Sequence, residues 1–327
     1  MSGIFDALPG IDAPVGSISK GLASMWSENA AEGRPSPSSD HAKATQVNFI
    51  LHLGLRTDVG DAVEQFETAV RFSRRYPSRV VVLCPLPEDA PETEMRAKVY
   101  GECTLGKSKE DTRCCEFVML SYPQSARRYL ESQVSTCLST DLPLYYWAHR
   151  FTDPAKLADY RYFLSSARRI LIDSATAPTD AVTYRWPNPA NVRDLAYARL
   201  LPVRQSIGQF LGRYPVAALA GGLRSIRLEH GDSIGAEARS LLTWVSGRLA
   251  ASGATTGVSS LQPLAGGRPR SLALTFVYAD RKAFSWKADI DALHAVFEAD
   301  FGAGRTVLPT AVSLLAQENA LSEAMFF

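Results

Sequence analysis

The chain has 327 residues, 46% hydrophobic and 21% charged, with 35 basic and 34 acidic side chains and a formal net charge of +1. That balance offers no global electrostatic case for nucleic acid or a membrane surface as partner, and the length allows two domains with a substantial core each. Apolar runs such as Tyr214–Leu223 fall far short of the ~20 residues a membrane helix needs. The N-terminus MSGIFDALPG lacks a basic region followed by an apolar one, so no secretory signal is expected and a cytoplasmic location is the default.

In chain order, residues 1–43 read as an N-terminal arm and linker. Val15, Ile18, Leu22, Met25 and Trp26 make one apolar stripe on a short helix, which is expected to dock on its own domain. EGRPSPSSD (Glu32–Asp40) is Pro- and Ser-rich and reads as a linker. From Gln46 the pattern turns α/β. VNFILHLGL reads as a strand, Asp61–Arg75 as a helix with Val63, Phe66 and Val70 on its apolar side, and RVVVLC (Arg79–Cys84) as a central strand bounded by prolines. RAKVYGECTL and CCEFVMLS are further strands, and Gln124–Leu138 is a helix.

The segment TDLPLYYWAHR (Thr140–Arg150) opens on an Asp-Leu-Pro turn and runs into three adjacent aromatics. Leu144, Tyr146 and Ala148 alternate with Tyr145, Trp147 and His149, as in a strand buried on both faces. Each such side chain contributes ~1.5–3 kcal/mol on burial, enough to account for them without a ligand. A helix capped by Asp153 ahead of Pro154 and a central strand RRILIDS follow. ATAPTD (Ala175–Asp180) marks a boundary between one domain over 44–178 and another over 179–327. The second is expected to hold a long helix Val192–Phe210, a strand Ser225–His230, a helix Ala236–Ala250, strands near Val258–Gln262 and Leu272–Tyr278, a strand at FSWKADI, and helices over Ala292–Ala299 and Leu308–Ala324. The fold class is thus two mixed α/β domains behind a helical arm, with α+β as the alternative.

Candidate chemistry is sparse. GDSIG (Gly231–Gly235) matches G-x-S-x-G between a strand and a helix, and Ser233, Asp291 and His294 follow the hydrolase order. Against it, no HGGG-type segment precedes the motif, and Asp232 or Ser233 also suits a helix N-cap. No G-x-G-x-x-G follows a strand, no G-x-x-x-x-G-K-[ST] occurs, and the five histidines show no metal-ligand spacing, so no cofactor or metal is expected. The five cysteines, Cys84, Cys103, Cys114, Cys115 and Cys137, lack a CxxC and read first as buried thiols, with redox sensing as the alternative. The pairs Arg74-Arg75, Arg127-Arg128 and Arg168-Arg169, with Arg79 nearby, suit either anion recognition or a solvated face.

The order of segments resembles the OpcA glucose-6-phosphate dehydrogenase assembly family. PVGSISKGLASMW, ATQVNFILHL, YPSRVVVLCP, GECTL, CCEFVMLSY, TDLPLYYWAHR, RRILIDSA, DLAYARLLPVR and LLTWVSGRLA carry the likeness, with Tyr76 where histidine is usual and Tyr197 and Val203 replacing two tryptophans. The resemblance implies a non-enzymatic regulator that binds glucose-6-phosphate dehydrogenase, promotes its active oligomer and raises its activity, feeding the oxidative pentose phosphate pathway. The family-motif and partner-binding candidates are Arg74, Arg75, Arg79, Arg127, Arg128, Asp141, Pro143, Trp147, Arg150, Asp173, Asp194, Arg199, Arg204 and Trp244. It also implies thioredoxin-linked control through cysteines.

Overall fold

A computed structural model describes residues 3–37, 45–104, 112–151, 154–177, 184–254 and 258–327, the side chains of 154 and 155 excepted. The expected Asp153 cap, His41 and the tail of the linker lie outside these residues. Two compact units emerge: Met1–Asp194 with Leu321–Phe327, and Leu195–Ala320. Val192–Asp194, the last residues of the first unit's main span, form a short strand hydrogen-bonded to that unit's sheet.

The first unit starts with helix α1 (Ile4–Ala7), strand β1 (Ile11–Ala13) and helix α2 (Ile18–Ala31). Then come β2 (Val47–Leu53), α3 (Val59–Arg75), β3 (Ser78–Pro85), β4 (Arg96–Thr104) and β5 (Arg113–Tyr122). A 3-10 turn over Gln124–Tyr129 leads into α4 (Leu130–Cys137), so the expected single helix over 124–138 is two pieces. The unit closes with β6 (Leu144–His149), α5 (Pro154–Ala158), α6 (Arg161–Ser166), β7 (Arg169–Ile172) and β8 (Val192–Asp194). The sheet order is β1-β4-β5-β3-β2-β6-β7-β8. From β5 to β8 neighbouring strands are parallel, and β4 runs antiparallel to β5 and β1.

Parallel strands need cover on both faces, which explains the continuous apolar runs. Ile50, Val81, Val118, Tyr146 and Ile170 point into one core together with Leu22, Trp26, Val134 and Phe163. On the other face Phe49 meets Phe72 at 5.8 Å and stacks on Trp147 at 6.3 Å, while Phe66 packs on Phe117 at 5.0 Å. The N-terminal stripe behaves as its spacing predicts, burying Ile18, Leu22, Met25 and Trp26. Gly101 of β4 makes room for it, since a Cβ there would meet Met25 and Trp26 within 2.4–2.6 Å. Lys98 Nζ donates to the carbonyls of Phe5, Asp6 and Leu8, closing the C-terminal end of α1.

Within the first core, His52 is fully buried and bonded through both ring nitrogens, Nδ1 to the Tyr146 hydroxyl and Nε2 to the Tyr122 hydroxyl at 2.8 Å. Tyr122 in turn bonds the Tyr160 hydroxyl at 2.8 Å. Burial pushes the His52 imidazole down to about 3. Because the folded pKa lies below the unfolded 6.5, the unfolded chain binds the proton first, and stability present above pH 6.5 is lost as pH falls toward 3. His52 should therefore remove about 1.4 kcal/mol per pH unit across that window, or about 2 kcal/mol by pH 5. Urea titrations at several pH values should show that slope, and His52→Gln, which can still bond both hydroxyls, should flatten it. An unchanged slope refutes the assignment.

The second unit holds α7 (Leu195–Arg199), α8 (Leu201–Leu211), α9 (Val216–Ala220), β9 (Leu223–His230), α10 (Gly235–Ala251), β10 (Val258–Pro263), β11 (Ser271–Tyr278), β12 (Ala283–Asp289), β13 (His294–Asp300), β14 (Thr306–Ala311) and the start of α11 (Gln317–Phe326), whose residues from Leu321 on are counted with the first unit. Its sheet order is β10-β9-β11-β12-β13-β14. Only β10 and β9 are parallel, joined across α10. Val203, Ile207 and Phe210 of α8 and Leu241 and Val245 of α10 share a core with Leu228, Leu274, Trp286 and Phe297 of the sheet.

Three expectations are corrected here. Val192–Phe210 is a strand and two helices, and Pro202 starts the second helix, where its missing N–H does no harm. Ala292–Ala299 is largely strand β13, pairing with β12 and burying Ala295, Phe297 and Ala299 on alternate positions. Leu308–Ala324 begins as the edge strand β14, where Pro309 is tolerated, and turns helical only from Gln317.

Candidate functional site

The first unit's sheet reverses its winding at β2: the chain passes from β2 to β3 on one side, and later returns to β6 on the other. Open α/β sheets place ligands outside the C-terminal strand ends at such a point. Here β2 and β6 are drawn together by backbone contact, with Gly54 N donating to the His149 carbonyl at 2.7 Å. A Cβ on Gly54 would lie 2.3 Å from the Arg150 carbonyl oxygen. Gly54→Ala is expected to lower stability by about 1–3 kcal/mol, read as a drop in urea midpoint; wild-type stability would contradict this close approach.

Arg150 follows with φ 50, a left-handed conformation uncommon outside glycine. Asp61, in the first turn of α3, holds it there. Its Oδ2 accepts from Arg150 Nε and from His149 Nε2 at 2.8 Å, and its Oδ1 accepts from Gln65 at 3.0 Å. Burial pushes the Asp61 carboxyl up, but the His149 bond and charge, then Gln65 and Arg150, outweigh it and hold it below the usual range. Burial also lowers the His149 pKa despite its bond to Asp61, and its Nδ1 has no hydrogen-bond partner among the described residues. Asp58 caps α3 by accepting from Asp61 N at 2.8 Å.

A cavity of about 250 Å³ opens beside these residues, lined by Arg56, Gln124, Arg150, Phe151, Lys156 and Tyr160 among others. Lys156 pairs with the exposed Glu88 at 2.8 Å. Burial raises the Tyr160 pKa, and Arg127 sits 5.5 Å from its ring centroid. A second cavity, of about 420 Å³, reaches Asp6, Asp58 and Glu92 and is more acidic.

The structure scatters the remaining sequence candidates. Arg74 Nε bonds Glu102 at 2.6 Å, and Arg79 bonds Glu116 at 2.6 and 3.1 Å while Trp26 donates to the other Glu116 oxygen at 2.9 Å. Arg127 donates to the Asp159 carbonyl. Arg75 and Arg128 are exposed, over the rings of Tyr76 and Tyr129 at 5.4 and 4.7 Å. Asp141 accepts from Ser139 at 3.0 Å, and the Pro143 carbonyl accepts from Asn48 at 3.2 Å, so both organise the turn into β6. Trp147 is fully buried. Asp173 caps its own turn through Ala175 N, and Asp194 accepts from the Ser174 N–H and hydroxyl at 3.0 and 2.6 Å.

In the second unit Arg199 bonds Glu237 Oε1 at 2.7 and 3.0 Å, and Arg204 lies 3.8 Å from the Tyr197 ring centroid while bonding its hydroxyl at 2.7 Å. Trp244 packs half-buried against the core. At GDSIG, Gly231 is required by packing, since a Cβ would lie 2.1 Å from the Arg268 carbonyl. Asp291 is bound to Arg270 at 3.0 Å, so it does not orient His294 toward Ser233. Helix α10 starts on Ile234 without a side-chain cap, which corrects the expected Asp232 or Ser233 cap.

Of the cysteines, Cys103 and Cys114 form a disulfide between directly opposite residues of β4 and β5. Cys84, Cys115 and Cys137 are buried free thiols. Burial pushes Cys84 and Cys115 up to about 12 and raises Cys137, so none is a ready nucleophile. Sequence reading missed Gly54, Arg56, Asp61 and Lys156. The signal available was LGLRTD, a strand exit leading into an Asp-capped helix.

Among the described residues no helix is long and apolar enough to cross a membrane. Residues 69–185 match a family model described as the glucose-6-phosphate dehydrogenase subunit N-terminal domain, a span that runs from within α3 through β7. No curated protein matches the chain.

Proposed function

The chain carries, over residues 69–185, a domain of the OpcA glucose-6-phosphate dehydrogenase assembly family, and from that premise we propose that it is a non-enzymatic partner that binds glucose-6-phosphate dehydrogenase and favours its active oligomer. The family match is the observation that carries this reading. The family's name points to assembly rather than to catalysis, and Asp291 in the hydrolase look-alike is committed to Arg270. An activator must bind the active state of its target more tightly than the inactive one, and a coupling of ~1–3 kcal/mol changes affinity ~5–150-fold. Arg75 and Arg128, exposed over tyrosine rings, are the sequence candidates best suited to contact a partner. The test mixes the purified chain with its cognate dehydrogenase and follows co-elution and activity at low substrate. Co-elution with raised activity is expected; no complex and no change would sink the proposal.

A second reading, redox control of that activation, rests on the Cys103–Cys114 bridge. Thioredoxin would be the reductant. Activation by wild type should then respond to dithiothreitol, and activation by Cys103→Ser/Cys114→Ser should not. Equal activation with and without reductant in the wild type removes this reading.

A further inference from the structure

Given the dehydrogenase reading, on which this assignment rests, we propose that Arg169 and Arg193 form a docking point for a carboxylate of the partner protein. Arg169 opens β7, and Arg193 is the middle residue of β8. The register sets Leu171 opposite Arg193, so Arg169, two residues earlier, shares the Arg193 face. β8 is the last strand of the sheet, which puts the pair at its edge.

This corner carries positive charge that its own surroundings leave unmatched. Burial first, and then the charge of Arg169, lower the Arg193 pKa, so each guanidinium lies in the field of the other. Neither makes an ion pair among the described residues, whereas Arg74, Arg79 and Arg199 each meet a glutamate. Their side chains bond backbone carbonyls instead. Arg169 Nη1 donates to the Arg168 carbonyl at 3.2 Å, and Arg193 Nη1 to those of Ala190 and Val192, both at 2.9 Å. Arg169 Nε is buried and has no hydrogen-bond partner among the described residues. Each guanidinium offers five N–H donors, so most of those on these two half-buried side chains are left for an outside acceptor.

Position selects the occupant. The carbonyls that hold the two side chains lie at or before the starts of β7 and β8, so both guanidiniums turn toward the N-terminal strand ends. Small ligands of open α/β sheets sit at the opposite, C-terminal ends, which disfavours a free metabolite here. Arg168 and Arg169 fall within residues 69–185, the span matched by the family model, and Arg168 is exposed beside the pair. A carboxylate accepts bidentately from guanidinium, and arginine is a favoured anchor in protein interfaces.

The test measures affinity of the full chain for its cognate dehydrogenase at low and at high salt, with circular dichroism to verify folding. Arg169→Gln/Arg193→Gln should weaken the complex at least about tenfold at low salt. High salt should weaken wild type more than this variant, a difference that a purely structural role would not produce. Arg193→Lys, which keeps the charge but loses the planar fork, should bind better than Arg193→Glu; equal binding by these two overturns the proposal even where the double variant does not fold. Inorganic phosphate and acetate are titrated into the chain alone by calorimetry. Saturable binding of either, lost in the double variant, assigns the pair to a free anion and overturns the proposal. A wild-type chain that does not bind the dehydrogenase removes the partner reading and this docking point together. A folded double variant that binds as tightly as a binding-competent wild type removes the docking point alone.

Discussion

Arg199→Met is expected to lower stability by about 3–5 kcal/mol, the cost of breaking a buried ion pair by removing one partner. Glu237 is only 7% exposed and Arg199 15%. Two guanidinium bonds reach the same Glu237 carboxylate oxygen, so the arginine neutralises and orients a glutamate that is buried at the first turn of α10. Without the arginine, a carboxylate desolvated by folding has to be charged without its partner or take up a proton. Glu237→Gln placed on the Arg199→Met background should recover at least ~1 kcal/mol, because it removes the orphaned charge while leaving the shape intact. Urea titration followed by tryptophan fluorescence reads both values. If the single variant is as stable as wild type, or the second change brings no recovery, the ion pair is not what secures α7 to α10.

Trp147→Ala should be comparably damaging, about 3–5 kcal/mol, through loss of transfer energy and the cavity left behind. Trp147 has no exposed surface and stacks parallel to Phe49 at 6.3 Å, in the middle of the eight-stranded sheet. Its indole Nε1 has no hydrogen-bond partner among the described residues. Trp147→Phe therefore gives up volume but also relieves a buried unpaired donor, and it should cost less than the alanine change. The pair of variants separates folding from partner contact. On the proposed reading that the chain binds glucose-6-phosphate dehydrogenase, a folded Trp147→Phe chain should bind it like wild type, whereas the alanine variant should lose binding and thermal stability together. A well-folded phenylalanine variant that no longer binds would show that Trp147 reaches the partner after all.

Local pattern reads through to structure where burial and period agree. VNFILHL, RVVVLC and LYYWAH are strands because a central parallel strand must be apolar on both faces, and α2 shows its stripe of Ile18, Leu22, Met25 and Trp26 for the corresponding helical reason. The reading fails where composition and pairing conflict. HAVFEAD and its surroundings are rich in alanine and glutamate, good helix formers, yet β12 offers a complete ladder partner and alternate burial, so tertiary pairing decides. TVLPTA was drawn into a helix by the true helical residues beyond Gln317, although Pro309 already marks an edge strand.

The candidate site divides in the same way. Arginine pairs, the Asp-Leu-Pro turn and the cysteines are visible as residues, but a sequence does not say which carboxylate each arginine meets. Arg74 finds Glu102, Arg79 finds Glu116 and Arg199 finds Glu237, all through strand order and helix packing rather than local spacing. By itself the sequence determined the class of fold, the central strands, the lack of a familiar cofactor fingerprint and the likeness to a family, because these depend on local period and on ordered motifs. Only the tertiary structure decided that β2 lies between β3 and β6. That order brings Arg56, Arg150 and Lys156 to one cavity, commits His149 and Asp61 to each other, and places Cys103 opposite Cys114. Strand order is set by which long-range pairings bury the most apolar surface at once, a sum over the whole unit that no single segment carries.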